Sequence, residues 1–332
     1  MSNAPVSLVE IVRGPFVESF HAGHAVVCDA QGIVEAWGDP KAVVMPRSSA
    51  KMIQGLPLVT SGAAQAFGLT QKRLALACAS HEGAPSHVEE VNTWLAELGM
   101  TDNNLRCGAQ VTRDRDLKLE MLRAEEAPCQ VHNNCSGKHA GFLTLGKHIG
   151  AGPEYVDPDH PVQVACKDAF EEVTQETSPG FGIDGCSAPN YAATMEGMAR
   201  AMAFFATASG RGDRLSLAAH QLMESMIAHP DMVAGEGRAC TLLMRAAKEP
   251  VAIKTGAEGY FIAIIPGRGL GVALKIVDGT TRASNCAIAA ILVRLGVLDA
   301  AHPDVKTFLN PVVKNWRGLV TGEIRPAPEL AA

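Results

Sequence analysis

The chain has 332 residues, of which 47% are hydrophobic, with 29 Lys plus Arg against 35 Asp plus Glu for a formal net charge of −6. A chain of this length and apolar content buries a sizeable core, and it has no basic field to hold phosphate backbones or anionic lipid, which sets nucleic acid aside. Its start, MSNAPVSLVEIVRGPF, has no basic leader or apolar signal core and carries Glu10, so a cytoplasmic address is expected.

The N-terminal part alternates as strands do: Val9 to Arg13, then His24 to Cys28, a turn at Asp29-Ala30-Gln31-Gly32, and Ile33 to Trp37, which together predict a hairpin. From Ser48 to about Lys248 the punctuation is helical. A first helix is predicted to run from Ser48 or Ser49 to about Leu56. The stretch Met52 to Gln71 is uncharged, but Gln54, Pro57, Thr60, Ser61 and Gln65 interrupt it, so it is a globular segment. Ser86-His87-Val88-Glu89 has the form of a capping box opening a helix that stops at Gly99. Further helices are predicted near Ser136–His148, Pro161–Thr174, Tyr191–Ala208, Leu215–Ala228 and Gly237–Ala247. Strands return at Val251–Thr255, Tyr260–Ile265 and Gly271–Val277, followed by a helix from Ala283 to Leu295.

Strands at the front and back with helices between them exclude a regular βαβα alternation. The expected fold is α+β: one antiparallel sheet built from both chain ends (about residues 1–47 and 249–332) with a terminal helix, and a mainly helical central lobe (about 48–248). The cleft between such lobes is the default place for a site. Nine cysteines, an odd number without framework spacing, are expected to be reduced core thiols.

The segment PRSSAK places Ser48 three residues before Lys51, on one face of a helix. A hydroxyl near neutral pH is a poor nucleophile, and a lysine serves as its base only when burial or another cation lowers its pKa. A capping serine beside a solvated lysine reads the same residues without chemistry. Lys254-Thr255-Gly256 on a late strand shifts the balance, because penicillin-recognising serine enzymes use such a tripeptide in this order and context. Ala79-Ser80-His81-Glu82-Gly83 adds a second polar cluster, with a turn-forming Ser80 as the plain alternative. Val131 to His139 and Gly182 to Cys186 concentrate metal-ligand types, and ligand preference nominates Cys135, Cys186 and either His132 or His139 for zinc. A helix cap at Ser136 followed by surface histidines stands equally open.

Taken together, PRSSAK, ASHEG, NNCSGKHAG, GIDGCSAPN and KTGAEG resemble the rhizobial-type L-asparaginases over essentially the whole chain. The resemblance implies a serine β-lactamase-like fold, a homodimer, and hydrolysis of L-asparagine to L-aspartate and ammonia. It implies two Ser–Lys tandems, Ser48 with Lys51 and Ser80 with Lys254, meeting in one cleft. Zn2+ is implied on Cys135, Lys138 and Cys186 with a water, which requires Lys138 to lose its proton. Asp184 would touch zinc-bound water or the substrate amine, and Arg47, His139 and Glu82 would hold the substrate or support the site. Ser48 is the expected nucleophile, Ser80 and Lys254 the expected proton relay, and zinc the expected holder of substrate. No SDN-type motif stands where a β-lactamase would have one. A serine-dependent glutaminase, a penicillin-binding activity and a non-catalytic amide or metal sensor of the same fold are the rival readings.

Overall fold

The computed structural model describes residues 4–331. Contacts divide the chain into two compact units: residues 1–49, 193–207 and 239–332 form one, and residues 50–192 and 208–238 form the other.

The first unit is built on an eight-stranded sheet in which every pairing is antiparallel. In chain order its strands are β1 (Val6–Arg13), β2 (Phe16–Asp29), β3 (Gly32–Trp37), β4 (Ala252–Gly256), β5 (Tyr260–Ile265), β6 (Leu270–Ile276), β7 (Val312–Lys314) and β8 (Val320–Pro326). Their spatial order is β7-β8-β1-β2-β6-β5-β4, with β3 also on β2. The long β2 carries both halves: Phe16 to Gly23 lies along β1, while Ala25 to Asp29 lies along β3 and Cys28 to Gly23 along β6.

Every residue of β5 is buried, as is most of β6, which is the signature of strands covered on both faces. The helices Met195–Ala206 and Thr281–Arg294 pack on them. The first approaches so closely that a Cβ at Gly271 would lie 2.1 Å from the amide nitrogen of Ala203. The sheet from both chain ends and the α+β class are as expected. Helix Met195–Ala206 is a finding: its chain position lies amid the helical stretch, yet it belongs to the sheet unit.

The second unit is helical. Helix Gln71–Ala77 starts on Thr70, whose hydroxyl accepts from the Arg73 amide at 3.3 Å, and it is buried from Arg73 onward. Helix Ser136–His148 is buried from Ser136 to Gly146. The two meet through Gly137, where a Cβ would lie 2.4 Å from the Leu76 carbonyl oxygen. That contact sets the first turn of one helix against the last turn of the other, immediately before Ser80.

Several local expectations are corrected. The segment after Pro46 is a 3-10 turn (Arg47–Ala50) followed by short helices Lys51–Gln54 and Leu56–Thr60, because Pro57 has no amide hydrogen to continue the ladder. No side chain caps its start: Ser49 instead gives its hydroxyl to the Lys254 carbonyl at 2.9 Å. The helix predicted at Ser86 begins at Pro85, and His87 Nδ1, not Glu89, accepts from the Ala84 amide at 3.2 Å. No helix among the described residues is long and apolar enough to cross a membrane.

Candidate active site

Within the helical unit, the loop after Leu74–Ala77 delivers Ser80 to Lys51. Both are buried, with Lys51 1% and Ser80 8% exposed, and the Lys51 ammonium lies 3.1 Å from the Ser80 hydroxyl. The amine also donates to the Ala79 carbonyl. The Ser80 amide donates to the Val233 carbonyl at 2.9 Å, which fixes the serine from behind. The solvated-lysine reading of Lys51 is therefore excluded.

His81 and Glu82 brace the same loop. Gly83 donates its amide to His81 Nδ1 at 3.1 Å, so the ring proton sits on Nε2 and is given to the Ser136 hydroxyl at 2.9 Å, which in turn bonds the Val131 carbonyl. Ser136 is thus occupied, and the cap expected of it does not form: the capping position is Cys135, with no side-chain bond. Glu82 accepts from the Glu236 amide at 3.0 Å, and burial pushes its carboxyl above the ordinary range.

A thiol and amine cluster lies on the same unit. Lys138, 3% exposed, donates to the Cys186 sulfur at 3.1 Å, and the Cys135 thiol beside it donates to the Asn134 side-chain oxygen at 3.0 Å. The interaction with Cys135 first, against burial, and then Lys138 and His139 hold Cys186 well below the usual thiol range. The interaction with Cys186, and then burial, push Cys135 well above it. Burial works against the Lys138 charge, but Cys186, Cys135 and Asp184 outweigh it and its pKa is raised.

The histidines are not on the surface. Tyr155 accepts from the Arg106 amide at 2.7 Å and so donates to His139 Nδ1 at 2.9 Å, leaving the His139 proton on Nε2, near Cys186. His132 turns the other way, its Nδ1 3.2 Å from the Cys129 amide and sulfur. Asp184 anchors its own turn, its carboxylate accepting from the Gly185 amide at 2.6 Å and its carbonyl from the Ser187 amide at 2.8 Å.

Among the described residues no three His, Cys, Asp or Glu side chains gather as a metal site. The donor set fits zinc only when the Lys138 amine is counted with the two thiols, and then only after it gives up its proton.

The sheet unit carries the remaining candidates. Lys254 is fully buried on β4 and donates to the Thr255 carbonyl at 2.7 Å, while its own carbonyl takes the Ser49 hydroxyl. A Cβ at Gly256 would lie 2.5 Å from the Pro46 carbonyl, so glycine seats this strand against the turn bearing Ser48. Arg47 adopts φ +51, a left-handed backbone that is strained for arginine. Ser48 is half-buried.

Sequence reasoning missed Tyr155, the His81–Ser136 link and Asn133, whose side chain bonds the Cys107 carbonyl and the Cys135 amide, both at 2.9 Å. The repeated amides of Asn133-Asn134 were the available signal for the last.

A profile of the L-asparaginase II family matches residues 9–326. The chain belongs to that family. No curated protein matches it. Among solved structures it is similar to Mglu in its native form, at 14% identity over 84% of this chain and 66% of that one, with a TM-score of 0.46. It is also similar to a β-lactamase (Mb2281c) from Mycobacterium bovis, at 11% identity over 82% and 94% of the two chains with a TM-score of 0.34. A third is the Bacillus subtilis glutaminase YbgJ in covalent complex with 5-oxo-L-norleucine, at 11% identity over 86% and 92% with a TM-score of 0.36. The L-asparaginase II family chain described here spans just under two thirds of the length of Mglu.

Proposed function

We propose that the protein is an L-asparaginase working through a Ser–Lys acyl-enzyme. The observation that carries this is the buried Lys51–Ser80 pair at 3.1 Å, in a chain of the L-asparaginase II family. Lys51, in its neutral form, takes the hydroxyl proton as the serine oxygen attacks the side-chain amide carbon of asparagine. The carbon–nitrogen bond then breaks, and the proton held by Lys51 leaves with the nitrogen as ammonia. Water attacks the β-aspartyl ester, Lys51 takes its proton and returns it to the serine oxygen, and L-aspartate departs.

Ser80 is the hydroxyl hydrogen-bonded to the base in this structure, whereas Ser48, three residues before Lys51 in the chain, is the nucleophile the sequence favours. Trapping the acyl-enzyme at acid pH and mapping the adduct decides between them. An adduct on neither serine sinks the mechanism. Ammonia release from L-asparagine against L-glutamine tests the substrate: faster turnover of glutamine reverses the assignment.

Cys135, Lys138 and Cys186 are the proposed holders of Zn2+, which when bound would orient the substrate's polar groups. Because Lys138 and Cys135 both have raised pKa values, each keeps its proton to higher pH, so metal uptake releases protons and tightens as pH rises. Zinc affinity that is flat between pH 6 and about 8 contradicts this ligand set. Asp184, His139, Glu82 and Arg47 remain the proposed substrate-side residues, with Lys254 as the second lysine. The homodimer is checked by light scattering.

A further inference from the structure

Two guanidinium groups of the helical unit stand outside the chemistry described above. Arg113 follows the buried Thr112, whose hydroxyl donates to the carbonyls of Glu82 and Gly83 at 3.0 and 2.9 Å, and the Arg113 amide donates to the Glu82 carbonyl at 2.7 Å. Arg238 ends the segment Val233–Arg238, which is tied to the Ser80 loop at two points: the Ser80 amide on the Val233 carbonyl, 2.9 Å, and the Glu236 amide on the Glu82 carboxylate, 3.0 Å. The second tie is close. Gly235 has φ +117, and a Cβ there would lie 2.3 Å from the Glu82 carboxyl carbon, so only glycine fits. The two arginine-bearing segments are thereby fixed on the loop that presents Ser80.

The side chains are within electrical range of one another. Burial, and then the neighbouring Arg238 charge, hold the Arg113 guanidinium below its ordinary pKa, with Cys135 opposing. Among the described residues neither guanidinium donates a side-chain hydrogen bond or joins an ion pair. Elsewhere in the helical unit arginines find carboxylates: Arg73 has Glu90 and Glu97, and Arg106 has Glu154. Glu82 lies in range of the Arg238 charge, but among the described residues it forms no ion pair with it, and its carboxylate takes the Glu236 amide. A carboxylate seated between two adjacent guanidinium groups gains two charge-assisted hydrogen bonds.

We propose that Arg113 and Arg238 receive the α-carboxylate of the amino-acid substrate and so orient its side-chain amide toward Ser80. This rests on the asparaginase reading above. The pair gives the site a way to select free amino-acid amides over simple amides, because β-alaninamide has the amine and the amide of asparagine but lacks this carboxylate.

The test is ammonia release from L-asparagine and from β-alaninamide by the wild type, by Arg113→Gln/Arg238→Gln, and by Arg123→Gln, an exposed arginine elsewhere on the unit, as control. The double variant is expected to raise KM for asparagine about tenfold or more with kcat changed less than about threefold, and to leave kcat/KM for β-alaninamide and the melting temperature unchanged. An unchanged KM for asparagine, or an equal loss on both amides, overturns the proposal. Should the double variant not fold, Arg113→Lys/Arg238→Lys keeps the charge and removes the two-pronged donor, and is read the same way with about a threefold shift. If the wild type releases no ammonia from asparagine, the reaction assigned above fails separately, and calorimetry decides the pair. L-Aspartate binding that is lost in the double variant while β-alaninamide binding is kept supports it, and equal aspartate binding overturns it.

Discussion

In the helical unit two buried lysines donate to groups that can exchange a proton: Lys51 to the Ser80 hydroxyl and Lys138 to the Cys186 sulfur. In the sheet unit the equally buried Lys254 donates to a backbone carbonyl, that of Thr255. Burial is the same in the three cases and chemistry is not. A hydroxyl or thiol opposite an amine can trade its proton with it, which a backbone carbonyl cannot do. Lys51 also donates to a carbonyl, that of Ala79, so the contrast lies in the hydroxyl and the thiol that face the two amines of the helical unit.

The sharpest way to break that contrast is to remove each amine in turn. Lys51→Met should lower kcat for asparagine by about 10³- to 10⁴-fold, and Lys254→Met by a smaller factor on the order of 10². Equal losses, or the reverse order, would remove the distinction. Next in size are the two close glycine contacts. Gly271→Ala and Gly137→Ala should each cost about 2–3 kcal/mol in urea unfolding, since backbone stands where the methyl would go. Only Gly137→Ala should also lower kcat per folded molecule, because it shifts the turn that carries Lys138. Smaller again is Ser49→Ala, which strips the bond to the Lys254 carbonyl and should cost about 1 kcal/mol.

The smallest effect is on pH. Burial lowers the His87 pKa below its unfolded value, so between the two values the unfolded chain binds the extra proton. That contribution to stability is complete above the unfolded value and is lost as pH falls below it. Melting temperature should therefore drop on acidification from about pH 7 to 5. The fall should be shallower in His87→Gln, and equal slopes would assign it to other groups.

Much of the architecture was readable from the order of residues. Helices Ser136–His148 and Pro161–Thr174 stand at the positions their punctuation indicated, and β5 follows from an unbroken apolar run and β6 from one interrupted only by Lys275. What escaped was local pattern weakened by partial exposure: β8 reads Val-Thr-Gly-Glu-Ile-Arg-Pro, with a glycine and two charges, and is a strand because β1 pairs with it. The first half of β2 was missed for a related reason, since Phe16 to Phe20 is exposed on both faces and shows no alternation of burial. At the site, residue types announced Ser80, Lys51, Cys135 and Cys186, but not which would meet. That Lys51 pairs with Ser80, and that Tyr155 sets the His139 tautomer, depends on contacts across 29 and 16 positions that no short motif encodes.

The pairing of β1 with β8 has a consequence for how the molecule is made. Val9 to Arg13 finds its partner only when Gly322 to Pro326 has been synthesised, so this strand waits with one edge unsatisfied while all the residues between them are made. A nascent chain halted anywhere before that point offers this edge to other chains, and clumping of truncated products should fall sharply once synthesis passes residue 326.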